Sequence, residues 1–74
     1  MTTIPSTMAG TVFKIEKSVG DTVSIGDVVV ILESMKMEIP IESPVAGTVS
    51  AISFAEGDFV NEGDTLMEVE GGGA

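Results

Sequence analysis

Seventy-four residues suffice for one small domain with a modest core, so 1–74 is read as a single unit whose core runs over about 4–70. Neither cysteine nor histidine occurs, which excludes disulfides, thiolate nucleophiles, zinc–thiolate sites and Ser-His-Asp or Cys-His triads. Twelve acidic against three basic residues leave a net charge of −9, which repels nucleic acid and anionic membrane surfaces and favours partners with basic docking surfaces.

The chain opens on Met1-Thr2-Thr3-Ile4-Pro5, without the basic region and apolar core of a targeting segment. The longest apolar run, Val28 to Leu32, is far too short to cross a bilayer. A cytoplasmic location with no membrane partner is the expectation. Gly and Pro interrupt short β-branched runs throughout, and no window sustains a helical period, so the chain reads as all-β. Residues 4–33 recur at 41–70, an offset of 37 positions, with identities such as Ala9-Gly10-Thr11-Val12 against Ala46-Gly47-Thr48-Val49.

Within each half the same elements follow in order. Gly10 and Gly47 open strands where the backbone bends or approaches a neighbour closely. Val12 and Ile15, with Val49 and Ile52, supply inward residues, and their odd spacing suggests a bulge or a strand exit. Gly20-Asp21 and Gly57-Asp58 are turns, as are Gly26-Asp27 and Gly63-Asp64, with Gly supplying positive φ and Asp bonding to nearby backbone. Val23 and Val60 plug the core from very short strands. Val28 to Glu33 and Thr65 to Glu70 close the two halves, and the alternation of Leu66, Met67 and Val69 leaves open which of them face inward. Neither half can bury a core alone. Together they predict a flattened barrel or sandwich of two four-stranded antiparallel sheets related by a pseudo-twofold axis. Gly71-Gly72-Gly73-Ala74 is expected to be a flexible tail.

The segment joining the halves, Glu33-Ser34-Met35-Lys36-Met37-Glu38, then lies at one end of the sandwich and the termini at the other. Val28 to Glu33 should pair with Met37 to Glu42. The connection Ser34-Met35-Lys36 lacks the Gly, Asn or Asp of an ordinary tight hairpin. Departures from local rules without structural gain tend to mark functional positions. A solvated turn lysine between two core-edge methionines is the bland alternative. It weakens because the repeat, the midpoint position and the missing turn residues coincide at Lys36. A lysine ammonium is a point charge on a flexible stem, so Lys36 reads as an amine for another enzyme to acylate rather than a catalyst. The paired Asp residues lack the dense oxygen ligands of a calcium loop, so no metal site is expected. Glu33 and Glu38 read as solvated cross-strand residues. Phe13, Phe54 and Phe59 lack accompanying cations and read as core or partner contacts rather than a nucleic-acid face.

These residues closely resemble the biotinyl domain of biotin-dependent carboxylases, the biotin carboxyl carrier family. The resemblance rests on Met35-Lys36-Met37, on Gly10 to Val12 before it, and on Pro44, Gly47 and Val49 after it, and it covers about Ile4 to Glu70. It implies that Lys36 is amide-linked to biotin by a biotin protein ligase using ATP, with Met35 and Met37 flanking the arm. Glu33, Ser34 and Glu38 are candidates for ligase recognition. It further implies a non-catalytic carrier that takes carboxybiotin from a biotin carboxylase to a carboxyltransferase. Many relatives carry Ala where this chain has Ser34. The protruding thumb of some acetyl-CoA carboxylase carriers is absent, since Val23 to Asp27 is as short as Val60 to Asp64. A lipoyl domain of a 2-oxo acid dehydrogenase complex resembles the same fold, but there the lysine usually follows Asp and precedes Ala or Ser. An unmodified interaction barrel typically lacks a lysine at the tip.

Overall fold

The structure, a computed structural model, describes residues 2–71. Its eight strands are β1 Thr2–Pro5, β2 Gly10–Ile15, β3 Thr22–Val23, β4 Val28–Ser34, β5 Met37–Glu42, β6 Gly47–Ile52, β7 Phe59–Val60 and β8 Thr65–Glu70. Short runs between turn residues leave no stretch long enough for a helix to nucleate. One sheet has the order β1-β8-β6-β3 and the other β5-β4-β2-β7, both antiparallel. The expected sandwich of two four-stranded sheets is therefore present. Of the tail, Gly71 is exposed, and the rest lies outside the described residues.

The twofold extends to details of register. The β2–β4 pairing slips between Val12 and Lys14, and β6–β8 slips between Val49 and Ala51. These bulges account for the odd spacing of Val12 and Ile15, and of Val49 and Ile52. The β4–β5 pairing slips between Val28 and Val30, and β1–β8 between Ile4 and Pro5. A bulge puts consecutive residues of one strand against a single partner, which breaks strict alternation. Val29 and Val30 are both buried, and so are their repeat equivalents Leu66 and Met67, together with Val69. All three apolar residues of β8 therefore belong to the core. Ile4, Val12, Val23, Leu32, Ile41, Val49 and Val60 complete it, with Phe54 packed at its edge.

The four Gly-Asp turns share one construction. Gly20, Gly26, Gly57 and Gly63 have φ of 96, 91, 95 and 90°. The following Asp donates its N–H to the carbonyl three residues back, as in Asp21 to Ser18 and Asp58 to Ala55. Positive φ at the third position is the signature of a type II turn. Each Asp carboxylate then accepts the N–H of the first turn residue, at 2.8 Å from Ser18, Ser24 and Asn61 and 2.9 Å from Ala55. The carboxylates are thus occupied as turn locks, and no group of three or more acidic residues able to hold a metal occurs among the described residues.

These turns also stitch the sheets together. Val23 lies opposite Gly47 in one sheet, and only residues 24–27 separate it from Val28, the end of β4 remote from the β4–β5 connection. The end of the first sheet that holds Glu70 thus lies beside the end of the second sheet that is farthest from Lys36. The molecule measures 37 × 19 × 18 Å, and the connecting hairpin projects at one end of it.

Candidate functional site

Ser34 lies opposite Met37, which makes Met35-Lys36 a two-residue hairpin loop rather than the three-residue connection read from sequence. Ser34 ends β4, half-buried, instead of standing in the turn. Met35 and Lys36 have φ of 53 and 64°. Two central residues with positive φ form a type I′ turn, whose twist matches the flanking strands. Gly, which lacks a β-carbon, and Asn, whose short side chain bonds locally, normally hold those positions because other residues are strained there. Here two long side chains occupy them.

The tip is open. Met35 is 91% exposed and Met37 63%, and Lys36 is exposed between them. The methionines therefore do not fill the core edge. The two ion pairs among the described residues use Lys14 (3.6 Å from Glu16) and Lys17 (3.9 Å from Asp27), which leaves the Lys36 ammonium unpaired. One step down the hairpin Glu33 faces Glu38 directly, both exposed. Like charges directly opposite are unfavourable in an isolated sheet. Below them Leu32 opposite Ile39 and Val30 opposite Ile41 run into the core and anchor the hairpin.

Gly10 brings β2 against the base of this hairpin. A β-carbon there would lie 3.0 Å from the Glu33 carbonyl oxygen and 3.5 Å from the Ser34 β-carbon. Its equivalent Gly47 is tighter, with an added β-carbon 2.7 Å from Val69 and closer still to the Glu70 carbonyl oxygen. Close approach therefore requires glycine at position 47, and at position 10 a β-carbon would fit only if the Glu33 carbonyl gave way slightly.

The structure thus brings Glu33, Ser34, Met35, Lys36, Met37 and Glu38 onto one exposed tip. Phe13 and Phe59, read as core or partner contacts, are 48% and 60% exposed, so neither belongs to the core. Sequence reasoning did not connect them. Comparison of the two repeats at their mismatched positions is the signal that finds them.

A β-sandwich with an internal twofold, holding an exposed lysine with no ion-pair partner among the described residues at the tip of a hairpin with two positive-φ residues, defines a small attachment domain of the carrier type. Over residues 1–69 the sequence matches the family described as "Biotin-requiring enzyme". The chain belongs to this family of biotin/lipoyl attachment domains. It is 51% identical over 39 residues to a biotin/lipoyl attachment protein of Bacillus subtilis strain 168, a match spanning 53% of each chain. The alignment therefore covers about half the length of that relative. Among solved structures it is similar to part of the urea carboxylase of Kluyveromyces lactis, with a TM-score of 0.87 and 33% identity over 93% of this chain and 6% of that one. It is also similar to part of a single-chain, multi-domain long-chain acyl-CoA carboxylase, with a TM-score of 0.83 and 29% identity over 89% of this chain and 6% of that one.

Proposed function

We propose that this chain is a biotin carboxyl carrier and that biotin is attached through an amide to Nζ of Lys36. The observation that carries the reading is the hairpin itself, which holds Lys36 with positive φ at an exposed tip, unpaired and between two exposed methionines. The site fits a covalent arm. The amine is accessible to a modifying enzyme, the strands beneath it are anchored in the core, and the flanking thioethers offer a soft surface to more than one partner. Similarity to short segments of two carboxylases supports biotin over lipoate.

In this reading a biotin protein ligase acylates Lys36, and a biotin carboxylase and a carboxyltransferase use the arm in turn. Biotin supplies the group that accepts and releases the carboxyl. The protein's own residues present it. Met35 and Lys36 set the direction of the arm, Glu33 and Glu38 surround its base with negative charge, and the sandwich keeps the tip clear of the rest of the molecule. Tethering turns diffusion between two sites into a local search at high effective concentration. The carrier performs no bond chemistry alone.

Intact mass after incubation with biotin ligase, biotin and ATP tests this, with lipoate ligase as the parallel arm. One added biotinyl group, absent from Lys36→Ala at unchanged melting temperature, is the expected result. Lipoylation without biotinylation would move the chain to the 2-oxo acid dehydrogenase complexes, and no modification by either would leave a plain interaction domain.

A further inference from the structure

The repeat provides an internal reference for the surface, because each outward position of one sheet has a counterpart in the other. In the sheet that bears the hairpin, one outward row reads Phe59, Thr11, Glu33, Glu38 across β7, β2, β4 and β5. In the other sheet the matching row reads Thr22, Thr48, Glu70. The next row of the hairpin sheet sets Lys14 and the bulged Phe13 beside Ile31 and Pro40. Its counterpart is Ser50-Ala51, Glu68 and Thr3. Phe59 thus replaces Thr22, Phe13 replaces Ser50, Ile31 replaces Glu68 and Pro40 replaces Thr3. These four exchanges make the hairpin sheet apolar where its twin is polar, while Lys14 against Ala51 runs the other way.

Packing does not require this. The twin sheet folds with the same register and bulges while carrying Thr, Ser and Glu at those positions, and Ser50 even turns its hydroxyl back onto the Glu68 carbonyl at 3.1 Å. Phe13 and Phe59 keep about half of their surface in solvent, an exposed apolar area that the twin sheet does without. The patch is bounded by acid toward the hairpin, where Glu33 and Glu38 stand, and Glu16 just past β2 is paired with Lys14 at 3.6 Å. Two copies facing each other would oppose these carboxylates on chains of net charge −9. A complementary surface is apolar at its centre with Lys or Arg at its rim.

The geometry points to the outer face of the β5-β4-β2-β7 sheet, centred on Phe13, Phe59 and Ile31, as a docking surface for the carboxylase body that uses the Lys36 arm, which presents an apolar contact ringed by basic side chains. The identity of this partner rests on the carrier reading. The surface shares β4 and β5 with the hairpin, so docking there also fixes where the tip points. Docking on the twin sheet would leave the tip at the far end.

The test places photoreactive benzoylphenylalanine at position 13 or 59 of the full chain in its own cells, with positions 50 and 22 as the equivalent sites on the twin sheet. A crosslink from 13 and 59, absent from 50 and 22, to a biotin-dependent carboxylase at a peptide with Lys or Arg beside an apolar residue is expected. With that carboxylase purified, the double change Phe13→Ser and Phe59→Thr installs the residues of the twin repeat. It should raise KM for the biotinylated carrier about tenfold, or about 1.4 kcal/mol. Melting temperature and biotinylation by the ligase should not change, and added salt should raise the wild-type KM. A crosslink to a second copy, equal crosslinking from 50 and 22, no crosslink, or an unchanged KM would each overturn the proposal. Intact mass of the same chain reports separately on the carrier reading. A chain without biotin, crosslinked to some other basic protein, would end both.

Discussion

Met35 and Lys36 each hold a β-carbon in the left-handed region, where an L-residue is strained by about 1–2 kcal/mol. Met35 offsets none of this by packing, since it is 91% exposed. Met35→Asn should therefore stabilise the protein by about 0.5–1 kcal/mol in urea unfolding, because Asn tolerates that conformation. An unchanged midpoint would show an unstrained turn. Lys36 admits no such relief without loss of the amine. At this scale the lysine, its flanking methionines and the missing turn residues were legible in the sequence. The length of the loop was not, because Ser34 is compatible with either a turn or a strand. Only the pairing of Ser34 with Met37 places it in β4.

Among the elements, Gly10 and Gly47 look interchangeable in sequence, each opening a Gly-Thr-Val strand. The structure separates them. An added β-carbon at Gly10 meets the Glu33 carbonyl oxygen at a tight 3.0 Å, whereas at Gly47 it overlaps backbone and Val69 together. Gly47→Ala should cost about 3 kcal/mol and Gly10→Ala about 1 kcal/mol, read as melting temperatures. Equal losses would mean that β6 can shift as easily as β2. The turns were legible because Gly and Asp each have a mechanism in them, and all four adopt one form. The inward set of β8 was not, because a bulge buries Leu66 and Met67 in succession and leaves no period to read. The outward phenylalanines were equally obscure. An aromatic residue in a strand looks the same in sequence whichever side it faces, and its twin at the equivalent position is needed to show that the core does not demand it.

At the scale of the molecule, the eight short strands of the described residues form two sheets with four edges. Two are strands of two residues, β3 and β7, and the other two, β1 and β5, carry Pro5 and Pro40. Short edges and prolines deny a template to further strands, which works against edge-to-edge polymerisation. The twofold has one more consequence. It maps the β4–β5 hairpin onto the gap between β8 and β1, which are already paired with Thr2 opposite Val69. The chain should therefore survive circular permutation. A gene opened between Met35 and Lys36, with Ser-Met-Lys-Met replacing Gly71 to Ala74 and running on into Met1, keeps every strand and sets a Met-Lys-Met turn at the opposite pole. Circular dichroism should show the same fold, and intact mass should show biotin on the new lysine if the ligase reads the turn alone. A folded permutant that stays unmodified would assign part of that recognition to the sheet left behind.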